Sequence, residues 1–80
     1  MKLNNDQIEF LNKCTVGRWK LNPKGLVDID GNFNCTEMQL KDFKGIKFGL
    51  VTGDFDCQNN NLTSLKGAPR EVVRGFLLSE

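Results

Sequence analysis

The chain has 80 residues, 39% apolar and 26% charged, and its eleven basic and ten acidic residues leave a formal charge of +1. That composition allows one hydrophobic core in one folded domain, and the near balance of charge excludes the broad basic footprint on which sequence-independent nucleic-acid binding depends. Histidine is absent, which removes the commonest general base and zinc partner, so the sequence predicts no enzyme, no cofactor and no metal.

In chain order, Asn5 or Asp6 is placed to cap a helix running to about Cys14, with Ile8, Leu11 and the pair Phe10, Cys14 at helical spacing. Gly17 is a stop signal. The helix together with Trp19 and Leu21 is predicted to form an N-terminal cap over residues 1–25, and Asn22-Pro23-Lys24-Gly25 reads as a turn into the first strand. Residues 26–80 complete a single domain, 1–80.

From Ile29 onward the chain repeats with a period of 22. Ile29 falls on Val51 and Val73, Gly31 on Gly53 and Gly75, Phe33 on Phe55 and Leu77, Cys35 on Cys57 and Ser79. Leu40 matches Leu62, Phe43 matches Leu65, and Gly45 matches Gly67. Two full units cover residues 29–50 and 51–72, with part of a third after them. Within a unit, Gly53-Asp54-Phe55-Asp56-Cys57 alternates as a short strand with one buried face, so Phe55 and Cys57 are expected inside. The run Gln58-Asn59-Asn60-Asn61 suits a tight bend, Leu62 and Leu65 turn back toward the core, and Gly67-Ala68-Pro69 marks the next corner. By this register Leu77 faces inward, and Phe76 and Leu78 face outward.

The pattern Phe55-x-Cys57-x-x-Asn60-x-Leu62-Thr63-Ser64-Leu65 resembles the bacterial type of leucine-rich repeat, and its extension through Gly67-Ala68-Pro69 resembles repeats of bacteriophage and bacterial proteins. The resemblance covers roughly residues 27–80. It implies an α/β-type short solenoid: a capping helix followed by about two and a half coils whose strands form a small parallel sheet. It also implies that Asn60 bonds backbone of the adjacent coil, where the first unit has Met38 instead. In function, it implies a non-enzymatic protein-protein interaction module, such as a phage-encoded or bacterial inhibitor that binds a host protein. A structural or assembly subunit that oligomerises through its unfinished last repeat is the alternative.

Three patterns suggest chemistry and are answered by simpler readings. Asp28, Asp30, Gly31 and Glu37 imitate part of a calcium loop, but its first position would be Leu26, which cannot ligate through its side chain. Asp28, Asp30, Asp54 and Asp56 suggest paired carboxylates, yet alternate strand positions make Asp54 and Asp56 a solvated face. Cys35 and Cys57 occupy inward positions, where cysteine behaves as a small hydrophobe. What remains is surface. The positions flanking the inward ones are Asn32, Asn34 and Thr36, then Asp54, Asp56 and Gln58, then Phe76, Leu78 and Glu80. Of these, Asn32, Asn34, Asp54, Asp56, Gln58, Phe76 and Leu78 are the expected protein-binding residues. The C-terminal edge is also the expected site of any homodimer. No apolar run approaches the roughly 18 residues that span a bilayer, and no signal-peptide segment follows Met1. Together with an odd number of cysteines, this predicts reduced thiols and a cytoplasmic location, the host cytoplasm if the chain is phage-encoded.

Overall fold

A computed structural model describes residues 2–77, and in it one helix is followed by a six-stranded, largely parallel sheet. Helix α1 spans Asn5–Cys14. Its N-cap is Asn4, one residue earlier than expected, because Asn4 and Gln7 close a reciprocal capping box: Asn4 Oδ1 accepts the Gln7 N–H at 2.8 Å, and Gln7 Oε1 accepts the Asn4 N–H at 2.8 Å. The Gln7 amide also donates to the Lys44 carbonyl at 2.8 Å, which ties the helix to the first unit's return loop. Phe10, Leu11 and Cys14 form the buried face.

The helix ends at Cys14 as expected, and the rest of the N-terminal region is a strand. Thr15–Leu21 is a strand, β1, paired antiparallel with β2, Val27–Asn34, through the turn at Asn22-Pro23-Lys24-Gly25. Asn22 holds that turn: its Oδ1 accepts the N–H groups of Lys24 and Leu26. Gly17 does not end the helix. It lies directly opposite Gly31 across the ladder, with φ of +123° and +138° respectively. A Cβ on Gly31 would strike the Val16 carbonyl, so the two backbones approach at this point only because neither residue has a side chain. Trp19 packs partly buried against the core, and its Nε1 donates to Asn12 Oδ1 of α1 at 2.8 Å.

Strands β3 (Phe48–Val51) and β4 (Phe55–Asp56) run parallel to β2 along the same edge, and β5 (Glu71–Val72) and β6 (Phe76–Leu77) extend β3 and β4 in turn. The three strands expected near Phe33, Phe55 and Leu77 are thus one long strand followed by two that are each broken into two pieces. The pairing shows where the repeat slips. Phe33 pairs with Phe55, an offset of 22, but Phe55 pairs with Phe76 and Val51 with Val72, offsets of 21. The missing residue lies at the proline corner. Ile46 and Ala68 close equivalent turns onto Phe43 and Leu65, yet three residues lie between Ile46 and Leu50 and only two between Ala68 and Glu71, the residue paired with Leu50.

This slip overturns the expected facing of the last strand. Phe76, not Leu77, continues the inward column: its ring meets Phe55 edge-on at 5.4 Å, while Leu77 follows Asn34 and Asp56. Phe55 is the hub of the core. It stacks on Phe33 at 5.2 Å and meets Phe48 and Phe43 edge-on at 5.1 and 5.7 Å. Around these rings lie Val27, Ile29, Val51, Ile46, Leu40, Cys35 and Cys57, all buried as the alternation predicts for the strand positions. The segment that imitates a calcium loop is strand β2, extended and paired on both edges, so Asp28 and Asp30 cannot wrap around an ion.

Candidate functional site

The outward positions of the sheet are mostly occupied by structural work. Asn32 Oδ1 accepts the Asp54 N–H at 2.8 Å, and Asp54 Oδ1 accepts the Gly75 N–H at 2.9 Å, so one side chain from each unit caps a backbone donor of the next. Asp28 Oδ1 does the same for the Leu50 N–H at 3.0 Å, and its other oxygen accepts from the Asn22 amide at 3.2 Å. Thr52 links two rows by accepting the Gly31 N–H and donating to Asp30. Asn34 and Asp56 form local turns by accepting the N–H groups of Thr36 and Gln58. Asp54 and Asp56 are therefore half-buried backbone acceptors, where a fully solvated face was expected.

Asn60 is the strongest of these clamps. Its Oδ1 accepts the Met38 and Leu40 N–H groups at 2.9 and 3.0 Å, and its Nδ2 donates to the Cys35, Cys57 and Gln58 carbonyls. The bonds to adjacent-unit backbone are those expected of this asparagine, and Met38 receives them where a second asparagine was missing. Gln58 lies inside this network through its carbonyl, which also accepts the Glu37 N–H at 3.2 Å.

The sulfur groups lie in the interior. Cys14, Cys35 and Cys57 are free and buried, and Cys14 Sγ contacts Met38 Sδ at 3.5 Å. Burial pushes the Cys14 thiol above its ordinary 9.0, against Lys13 and Lys44, which pull it down. Cys35 is raised by its hydrogen bond to the Cys57 thiol and then by burial, and the same hydrogen bond lowers Cys57. Buried thiols without a route to solvent are poor nucleophiles. Among the described residues, no three acidic or cysteine side chains are grouped to hold a metal ion, and no helix is long and apolar enough to cross a membrane.

Exposed apolar side chains gather at the C-terminal end of the sheet, apart from Val16 on β1 and Leu50 on β3. Each row of the core loses its cover in the last unit. Phe43 is fully buried, while Leu65 one unit on is 53% exposed; Phe55 is fully buried, while Phe76 is 39% exposed. Val73 is 60% exposed and Leu77 41%. Strands β5 and β6 together form the far edge of the sheet and pair on one side only among the described residues. Leu62, Ala68 and Val72 pack partly buried beneath this end. No protein-family model, curated protein or solved structure matches the chain. Of the expected binding residues, Phe76 belongs to this apolar end, Leu78 lies outside the described residues, and Asn32, Asn34, Asp54, Asp56 and Gln58 belong to the hydrogen-bonded rows. Leu65 and Val73 were missed. Leu65 carries the repeat's core-facing motif, and Val73 aligns with buried Ile29 and Val51 at a uniform period of 22, so both read as interior.

Proposed function

We propose that this chain is a short leucine-rich-repeat-like solenoid that works as a non-enzymatic protein-binding module, and that its C-terminal edge is the binding surface. The observation that carries the reading is the uncovered end: Leu65, Val73, Phe76 and Leu77 exposed beside strands β5 and β6. Edge strands without a neighbour offer free N–H and C=O groups to another chain, and here exposed Arg70, Glu71 and Arg74 border the apolar side chains. A partner that adds an extended segment gains main-chain hydrogen bonds from the strand and side-chain contacts from the uncovered rows. The reading of the module as a phage-encoded or bacterial inhibitor of a host protein follows the same surface, with the host protein supplying the segment.

The hydrogen-bonded outer rows suit this role less well. Asn32, Asp28 and Asp54 already spend an oxygen each on the neighbouring unit's backbone, so recruiting them to a partner would compete with the fold. The test is selection of a displayed random-peptide library on the full chain, with the variant Leu65→Lys/Val73→Lys as the counter-target. Both side chains are exposed, so the variant keeps the core. The expected result is a set of extended apolar peptides that bind the parent and not the variant. Peptides that bind both equally well would refute the edge as the site.

A further inference from the structure

We infer that the partner segment taken by the C-terminal edge is acidic: an extended stretch of another protein in which Asp or Glu accompany the apolar residues. This rests on the edge being the binding surface and names the chemistry of its occupant. The formal charge of +1 hides an uneven distribution. The outward carboxylates Asp28, Asp30, Asp54 and Asp56 lie on or beside strands β2 and β4, and Asp28 and Asp54 each accept a backbone N–H. From residue 66 to residue 77 the charges are Lys66, Arg70 and Arg74 against Glu71, all exposed. Lys66 directly follows Leu65 and Arg74 directly follows Val73, so the cations stand among the uncovered apolar side chains. Among the described residues no carboxylate is paired with them. Lys47 of the preceding unit adds to the group. It lines two adjoining clefts that share Gly67, one of about 330 Å³ with Lys66, Ser64 and Asp42, the other of about 280 Å³ with Arg70 and Ala68. Asp42, the one acid there, already accepts the Lys44 N–H at 2.9 Å. A carboxylate entering these clefts meets cations from two units, and complementary charge steers and orients such a segment.

Other occupants fit this edge less well. A second copy of the chain would bring the same cations to the same edge, and like charges set against each other are costly. A nucleic-acid strand would satisfy the cations with its phosphates, but its bases stack on aromatic rings and would leave Leu65, Val73 and Leu77 uncovered. An acidic, partly apolar protein segment answers both the charge and the apolar rows.

The test is to select a displayed random-peptide library on the full chain, synthesise a recovered peptide, and compare it with a version in which every Asp and Glu is replaced by its amide. The recovered sequences should be enriched in Asp and Glu over the unselected library. The amide version should bind about tenfold more weakly, since three exposed charge pairs each contribute modestly. That difference should shrink as salt shortens the screening length from about 10 Å at 0.1 M to about 3 Å at 1 M. Lys66→Gln/Arg70→Gln/Arg74→Gln changes only exposed side chains and keeps the backbone N–H bonds of all three residues. It should fold as the parent does and bind both peptides alike, with the parent's affinity for the amide version. Recovered peptides without an excess of Asp and Glu, or a preference for the acidic version that survives in this variant, would overturn the inference. So would tighter binding of a single-stranded oligonucleotide or of phosphatidylserine vesicles than of the peptide. Leu65→Ser/Val73→Ser, which removes apolar contact without altering charge, separates the two levels of the reading. If it weakens binding while acidic and amide peptides bind the parent alike, the acidic partner is refuted and the binding edge stands. If it leaves binding unchanged, the edge itself is refuted, and the inference with it.

Discussion

Replacing Phe55 by alanine tests the packing scheme at its most connected point. The ring is fully buried and meets four others, Phe33, Phe43, Phe48 and Phe76, at centroid distances of 5.1 to 5.7 Å. Removing a buried phenylalanine side chain costs about 3 to 5 kcal/mol, as the lost transfer energy is joined by that of a cavity. Aromatic pairs contribute further beyond their buried area, which places this residue toward the upper end. A domain of this length has a total stability of about 4 to 12 kcal/mol, so the variant loses a third or more of it. Phe76→Ala is the internal control. Its ring sits in the same column but is 39% exposed and touches only Phe55 among the described rings, so its loss should cost about 1 to 2 kcal/mol. Urea unfolding followed by circular dichroism measures both. If Phe55→Ala lies within about 1 kcal/mol of the parent, or if Phe76→Ala costs as much as Phe55→Ala, the column assignment is wrong.

Asn60→Ala removes a side chain that satisfies two N–H donors and three carbonyls, and should cost about 2 to 4 kcal/mol in the same urea assay because the Met38 and Leu40 donors are left unpaired. Asn60→Asp, which keeps the acceptor and loses the donors, should fall between parent and alanine. Gly31→Ala forces a Cβ against the Val16 carbonyl at a φ of +138° and should lower the thermal midpoint by at least about 10 °C, scaled from a cost of about 2 kcal/mol; an unchanged midpoint would mean that the β1–β2 hairpin is not packed this closely. The raised thiols of Cys14 and Cys35 set a pH dependence. Both are protonated in folded and unfolded chains below the ordinary value of 9.0, so stability from this source is complete there. Above it the unfolded chain releases protons that the folded chain keeps, and stability falls as pH rises. Urea midpoints at successive pH values from neutrality upward should be flat at first and then decline above about pH 9; midpoints that do not decline would place Cys14 and Cys35 in solvent, and a rise would mean that the lowered Cys57 thiol outweighs them.

Much of the core was legible because alternation is a direct consequence of strand geometry. Phe33, Phe55, Cys35 and Cys57 were readable as interior from their spacing alone, and the bonds of Asn60 to the adjacent unit were expected only through the resemblance to leucine-rich repeats. The last unit was misread by one residue because Pro69 and its neighbours complete the corner with one residue fewer than Ile46 to Leu50 requires, and a sequence aligned at a constant period hides such a loss. Gly17 illustrates a different limit. A glycine after a helix satisfies the rule for a helix stop as readily as the rule for a close backbone approach, and only its partner Gly31, fourteen residues on, distinguishes the two. The outer polar rows were read as free surface because alternation gives the side a residue faces and not the backbone donor beside it: Asn32 reaches the Asp54 N–H and Asp28 the Leu50 N–H at the uniform offset of 22.

Amide hydrogen exchange of the full chain, alone and saturated with a library-selected peptide, tests the central claim most directly. Protection on binding should rise in residues 71–77 and in the adjoining loop around Leu65, while the amides of residues 32–34 keep the rates set by the fold. Protection that instead appears across Asn32, Asn34, Asp54 and Asp56, with 71–77 unchanged, would contradict it and move the binding surface to the outer face of the sheet.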